Sequence, residues 1–392
     1  MSLVNIISAI GNNKSVYPLV LRDCGIEVPS KIALTYNQNL KDSKEMANNA
    51  ARERFIDEYG TSLVWLGGIP LMDKICDQGI KKAGYNPCVG VELLDKKQGQ
   101  SLEKNISKFK KTAPDAVKDL EKILKNKSLY KKMLAGKFIL STSIPALIMG
   151  FALPKMNFAL TEKIRERQNK KRNTAKGEIA FKGLYNMSTV NKMAVTDGGL
   201  TAGRVTTARN KYERWEMAFK MGMMMFLNFV APIWIASGLD KLSGKLFNTN
   251  VNLDPKLLNN KAFINSIKND KFETPQGDIV EFLDKNPNSD FSRLCEKYKG
   301  VKYLQNRIRD PRAFVDKEKI SEFKKEIEKF ASQAKKSGNV EKYAKKALKI
   351  KSANILANVG ISSFLLAYAL PKVTFALRKK ITGSDAEPGL NS

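Results

Sequence analysis

The chain has 392 residues, 43% of them apolar, and its 68 Lys plus Arg against 39 Asp plus Glu give a net charge of +29. That length and apolar fraction exclude global disorder and leave room for one large domain or two ordinary ones. The absence of histidine excludes Ser-His-Asp and Cys-His catalysis and histidine metal ligation, while the positive field attracts polyanions, either anionic lipid or nucleic acid.

The first residues, MSLVNIISAIGNNKS, place Leu3, Ile6, Ile7 and Ile10 on one face of a short helix and lack the positive start of a signal peptide. LRDCGI, residues 21–26, reads as an Asp-Gly turn in which Asp23 caps and Gly25 supplies the flexible backbone. An apolar segment at 61–72 is too short to span a bilayer. A soluble helix follows with Val117, Leu120, Ile123 and Leu124 inward.

Residues 138–154 carry no charge, and Pro145 sits in their middle to kink a helix or turn a hairpin. They end in FALPKMNFALTEKI, residues 151–164. This motif returns as YALPKVTFALRKKI at 368–381, identical at nine of fourteen positions without a gap. In the first copy Pro154 closes the apolar helix, Lys155 reaches the headgroup level and Phe158 resumes an apolar face. Arg165, Arg167, Lys170, Lys171 and Arg172 follow as a basic flank.

The second half repeats this order. VTDGGL at 195–200 is the second turn, with Asp197 and Gly199 matching Asp23 and Gly25. The two aspartates read as caps, and a symmetric carboxylate pair is the other reading. GGLTAGR at 198–204 lacks the phosphate-loop spacing and reads as flexible turn backbone. Residues 221–239 form an uncharged segment in which Met221, Met223, Met224 and Met225 point around a helix rather than at one metal.

A helical, Lys-rich insertion at about 249–345 comes next. Thr274-Pro275 reads as a helix start. Ile320, Phe323, Ile327, Phe330 and Ala334 form one apolar stripe that stops at Ser337-Gly338. The last uncharged segment, 352–371, contains Asn354, Asn358, Ser362 and Ser363. Pro371, Lys372 and Phe375 then repeat the interface motif, and Arg378, Lys379 and Lys380 repeat the basic flank. The tail at 384–392 reads as disordered.

These features predict a mainly α, internally duplicated membrane protein with hydrophobic helices and basic amphipathic ones. The first half is 1–185, with apolar segments 61–72 and 138–154. The second is 186–383, with apolar segments 221–239 and 352–371. Basic residues flank the apolar segments almost equally at both ends, so the positive-inside rule does not orient them. Four crossings and one-sided hydrophobic wedges are both compatible.

Cys24, Cys76, Cys88 and Cys295 form no CxxC pair, so reduced thiols are expected and no metal site, cofactor site or catalytic residue is. The expected partner is anionic membrane lipid, with a homo-oligomer as a further possibility, and the expected role is membrane binding, scaffolding or passage with the basic loops cytoplasmic. Ion-coupled transport is disfavoured, because the three long segments hold no Asp, Glu, Lys or Arg. The alternative is a soluble, basic helical protein that binds nucleic acid or serves a structural role.

Overall fold

The computed structural model describes residues 2–12, 15–40, 44–153, 156, 189–206 and 211–383. Among these, about 80% of the structure is helical, and the sole β-type pairing is an isolated bridge between Tyr303 and Arg309. In chain order the α-helices are α1 (Leu3–Gly11), α2 (Tyr17–Arg22), α3 (Val28–Asn39), α4 (Lys44–Leu63), α5 (Ile69–Lys82), α6 (Leu102–Phe109), α7 (Pro114–Lys125) and α8 (Lys127–Leu147). They continue as α9 (Thr189–Thr206), α10 (Lys211–Met225), α11 (Ala231–Leu246), α12 (Pro255–Leu258), α13 (Lys261–Lys268), α14 (Ile279–Lys285), α15 (Asp290–Lys299), α16 (Lys317–Lys336), α17 (Val340–Phe364) and α18 (Leu370–Thr382).

Five π-helical turns interrupt these helices: π1 (Asp23–Glu27), π2 (Val64–Gly68), π3 (Ile148–Ala152), π4 (Phe226–Val230) and π5 (Leu365–Ala369). Proline explains all five. Pro29, Pro70, Pro154, Pro232 and Pro371 each stand two positions after the end of a π turn. A proline in a helix removes one amide donor, and its ring displaces the carbonyl four residues back. Admitting one extra residue to the preceding turn relieves that clash and lets the helix continue. Pro145 likewise lies inside α8 without ending it, so the hairpin reading of that segment is replaced by a continuous helix. Pro154, Lys155 and Phe158, the basic flank at 165–172 and the tail from 384 lie outside the described residues.

Two compact units share the chain. The first gathers 1–8, 77–136 and 240–354, and the second the described residues of 9–76, 137–239 and 355–383. The insertion expected at about 249–345 thus joins 77–136 in one unit.

The first unit has an ordinary inside-out polarity. All five stripe residues of α16, Ile320, Phe323, Ile327, Phe330 and Ala334, are buried, and Gly338 takes the left-handed conformation just past the helix end. Phe330 packs on Phe263 and on Tyr343, with ring centroids 6.4 and 5.6 Å away. A second cluster holds Leu93, Leu102, Leu120, Ile123 and Tyr130. The Gln100 side chain links the early and late stretches by donating to the Val315 carbonyl at 2.6 Å and accepting from the Val315 amide at 3.0 Å. Burial in this core pushes the Cys295 thiol up to about 12, so it is an inert packing group.

The helix expected to start at Thr274-Pro275 starts instead at Ile279. Asp278 is its cap and accepts from the Val280 and Glu281 amides at 2.9 and 3.0 Å. An aspartate whose carboxylate reaches two free helix amides outcompetes a threonine four residues upstream. Lys317, 2.6 Å away, and these amides hold the Asp278 carboxyl below its ordinary range. The lowered value means that the carboxylate's contribution is complete above the ordinary aspartate range and is lost as pH falls through the folded value. Asp278→Ala is therefore expected to cost about 1 kcal/mol in urea unfolding at neutral pH. The deficit should begin to shrink below about pH 4, where the unfolded chain takes up the proton, and close as pH falls through the lower folded value.

The second unit has the opposite polarity. Among the described residues three helices, Lys127–Ala152, Arg214–Leu246 and Val340–Ile381, are long and apolar enough to cross a membrane. Within the second unit their polar residues face inward: Ser141 and Thr142 on α8, Asn228 on π4, and Asn358, Ser362, Ser363 and Thr374 on the last helix are all buried. Their large apolar residues face outward. Leu140 is 47% exposed, Trp234 65%, Ile361 42% and Phe364 57%.

Helix α3 packs along α4, and α9 along α10. The π turns fall into two groups: π2, π3 and α9 touch one another, and π5 touches both π1 and π4. Close approach is built in at Gly60, where an added Cβ would lie 2.9 Å from Leu153 Cδ1.

Candidate functional site

The charges missing from the three long apolar segments are supplied by the shorter helices packed among them. Arg22 ends α2, Asp23 and Glu27 occupy π1, and Lys31 lies one turn on in α3. Arg54, Asp57 and Glu58 come from α4, Asp197 and Arg204 from α9, and Lys220 from α10. The i, i+4 spacing of Asp23, Glu27 and Lys31 would align them on one helix face, and the π turn shifts that register.

Most of the cations are committed to a carboxylate. Lys31 is 3% exposed; its ammonium forms a short ion pair with Glu27 Oε1 and lies 3.5 Å from Glu58 Oε2. Arg54 holds the other Glu58 oxygen at 3.0 Å. Arg204 grips Asp57 with both terminal nitrogens, at 2.9 and 3.4 Å. Buried Arg22 donates to two backbone carbonyls, from Nε to Pro18 at 3.2 Å and from Nη2 to Asn228 at 3.3 Å. Charges taken out of water persist only when paired or hydrogen-bonded in this way.

Asp23 and Asp197 differ. Neither forms an ion pair among the described residues. Asp23 Oδ2 accepts a 2.5 Å hydrogen bond from the buried Ser62 hydroxyl. The charged neighbours of Asp23 are Arg22, Glu27, Lys31 and Glu58, and those of Asp197 are Asp23, Glu27 and Arg204. The turns expected around the two aspartates are not present: Asp23 and Gly25 lie in π1, and Asp197, Gly199 and the GGLTAGR stretch lie within α9. Helix packing overrides the local preference of an Asp-Gly pair, and glycine is tolerated where another helix approaches closely.

Two further ion pairs tie the unit together. Lys192 Nζ lies 2.5 Å from Asp73 Oδ1, linking α9 to α5. Arg378, expected as part of an exposed basic flank, is buried and bound to Glu216, with Nε 2.9 Å from Oε2, which links α18 to α10. Lys379 and Lys380 are exposed, as is Lys372, whose ammonium lies 4.7 Å from the centre of the Tyr368 ring. Pro371 lies in the first turn of α18, and Phe375 receives the Arg378 guanidinium on its ring at 5.3 Å.

The first unit offers a polar cleft of about 500 Å³. Three of its lysines, Lys108, Lys285 and Lys317, are neutralised locally by Asp284, Glu281 and Asp278. This is a salt-bridged seam rather than an anion site. Among the described residues no group of His, Cys, Asp or Glu converges to hold a metal ion. No protein-family model, curated protein or solved structure matches the chain. Sequence order would have paired Asp23 with Asp197, but nothing in the sequence signalled that Lys31, Arg54 and Arg204 would be spent on other carboxylates.

Proposed function

We propose that the second unit is embedded in a membrane and that the protein acts there in passage or binding, with its basic flanks toward anionic lipid on the cytoplasmic side. The inverted polarity of the three long helices carries this reading. A water-soluble bundle buries leucine and exposes asparagine, because apolar burial stabilises it by about 25 cal/mol per Å². In hydrocarbon that drive is absent, interfaces are built from small and hydrogen-bonding residues, and apolar side chains face the lipid. Asn358 and Ser362 inside, with Ile361 and Phe364 outside, follow the second rule. Lys372 beside Tyr368 and the exposed Lys379 and Lys380 suit a headgroup boundary, where each cation contributes about 1 kcal/mol.

The same reading includes an internal duplication. The turns π3 and π5 both begin three residues before the repeated motif. The contacts among π2, π3 and α9 have a partial counterpart in those of π5 with π4 and π1, with α9 and π1 as the elements that carry Asp197 and Asp23. Each copy then lends one element to the other copy's group, an arrangement suited to a site between repeats.

Fractionation of the expressed protein, washed with high salt and then with carbonate, tests the reading. Retention through both washes is the expected result. Release by salt would mean attachment through lysines alone, and recovery in the first supernatant would overturn the membrane reading in favour of a soluble nucleic-acid binder.

A further inference from the structure

We propose that an anionic phospholipid occupies the furrow between α3 and α4, with one acyl chain along the furrow and its phosphate on Arg52. This rests on the reading of the second unit as membrane-embedded, and it gives the lipid partner a defined site.

The furrow follows from the residues that meet along the seam of the two helices. It encloses about 430 Å³ between Ile32, Ala33 and Tyr36 of α3 and Ala51, Phe55 and Tyr59 of α4. Ala33 and Ala51 carry too little side chain to close the seam between the larger residues. The Tyr59 hydroxyl donates to the Cys24 carbonyl at 3.2 Å, and the Phe55 ring lies 4.9 Å from the Tyr59 ring, so this wall is held in place. Phe55 is 53% exposed and Ala33 is exposed, which leaves the furrow open on its outer side. Its volume falls within the roughly 300–1,000 Å³ of ligand sites. Its lining is apolar apart from the tyrosine hydroxyls and Asn37.

The second observation is a cation without an anion. Arg52 follows Ala51 directly and precedes Phe55 by three positions, which puts it at the rim of the furrow. Its Nε and Nη2 are buried and have no hydrogen-bond partner, and the residue forms no ion pair, among the described residues. By contrast Arg54, Arg204 and Arg378 are matched by Glu58, Asp57 and Glu216. A buried guanidinium edge without a partner is costly, so an anion from outside the chain completes it. Nε and Nη2 form one edge of the guanidinium, and such an edge binds phosphate through two parallel hydrogen bonds.

Depth agrees with this assignment. Arg52 lies about 18 Å along the helix before π2 begins at Val64. The π2 turn stands in the middle of the uncharged stretch from Tyr59 to Met72. Half of a hydrocarbon core is about 15 Å, so Arg52 reaches the phosphate level, while Phe55 and Tyr59 lead inward from it. A tail whose phosphate rests on Arg52 therefore runs down the furrow toward the bilayer centre.

The test is native mass spectrometry of the purified full-length protein in detergent, titrated with dioleoylphosphatidylglycerol or dioleoylphosphatidylcholine. These lipids share their tails and differ in net charge. The expected result is one retained phosphatidylglycerol, bound about tenfold more tightly than phosphatidylcholine. Arg52→Gln should abolish that preference, and Ala33→Trp, which fills the furrow, should remove both lipids. Equal binding of the two lipids by the wild type overturns the proposal, as does a preference that survives Arg52→Gln or binding that survives Ala33→Trp. Circular dichroism melts establish folding, and Arg52→Gln decides the question if the bulkier variant does not fold. Retention of the protein through carbonate with no such preference overturns the site alone. Recovery in the first supernatant overturns the membrane reading and the site with it.

Discussion

Ile361→Lys is expected to lose the carbonate-resistant membrane association of the wild type. Ile361 lies on the outward face of α17, 42% exposed, between the buried Asn358 and Ser362. In a soluble protein a lysine at so exposed a site changes stability by no more than about 0.5 kcal/mol. On a lipid-facing helix the same change replaces a favourable side chain with one that costs about 3 kcal/mol at the helix centre. That is a shift of roughly a hundredfold in the insertion equilibrium. Phe247→Lys in the first unit, at a side chain 49% exposed, serves as the control and should leave retention unchanged. Equal retention of both variants would show that the outward face of α17 does not meet lipid.

The second large effect is expected in the first unit. Arg309 is 2% exposed, donates from Nε to Asp284 at 2.7 Å and sits 5.1 Å from the centre of the Phe109 ring. Arg309→Ala leaves Asp284 buried with Lys108 as its remaining cation and opens a cavity beside the ring. Removing one partner of a buried pair costs about 3–5 kcal/mol, a large share of the 5–15 kcal/mol typical of a folded domain. The chain's three tryptophans, Trp65, Trp215 and Trp234, all lie in the second unit. The variant should therefore lower a helical melting transition seen by circular dichroism while tryptophan emission stays unchanged. A coincident tryptophan shift would mean that the loss is not confined to the first unit.

What could be read in advance follows the range of the interactions involved. The α16 stripe is local: five apolar residues at helical spacing, a polar remainder and a glycine stop leave one solution. The proline-associated π turns also have a local cause, although sequence alone suggested kinks or hairpins. Asn358 and Ser362 were visible only as residues that dilute an apolar segment, because their meaning depends on which face turns inward. Asp23 and Asp197 looked like caps because Asp-Gly is a strong local turn signal, and tertiary packing outweighs that signal. The duplicated order suggested two sequential halves. The compact units cut across that order, since pairing between Gln100 and Val315 leaves no trace in either local pattern.

That pairing has a consequence for synthesis on the ribosome. Residues 77–136 cannot complete their unit until Val315 and its neighbours have been made, because Gly90, Gln100 and Asn105 bond to Arg312, Val315 and Pro311. At about 5–20 residues per second the wait is on the order of ten seconds or more. Over that interval Leu93, Leu102 and Leu120 belong to an unclosed core while residues 137–239 emerge. The nascent chain therefore carries one half-built core while the intervening apolar helices emerge, an interval in which exposed apolar surface favours aggregation.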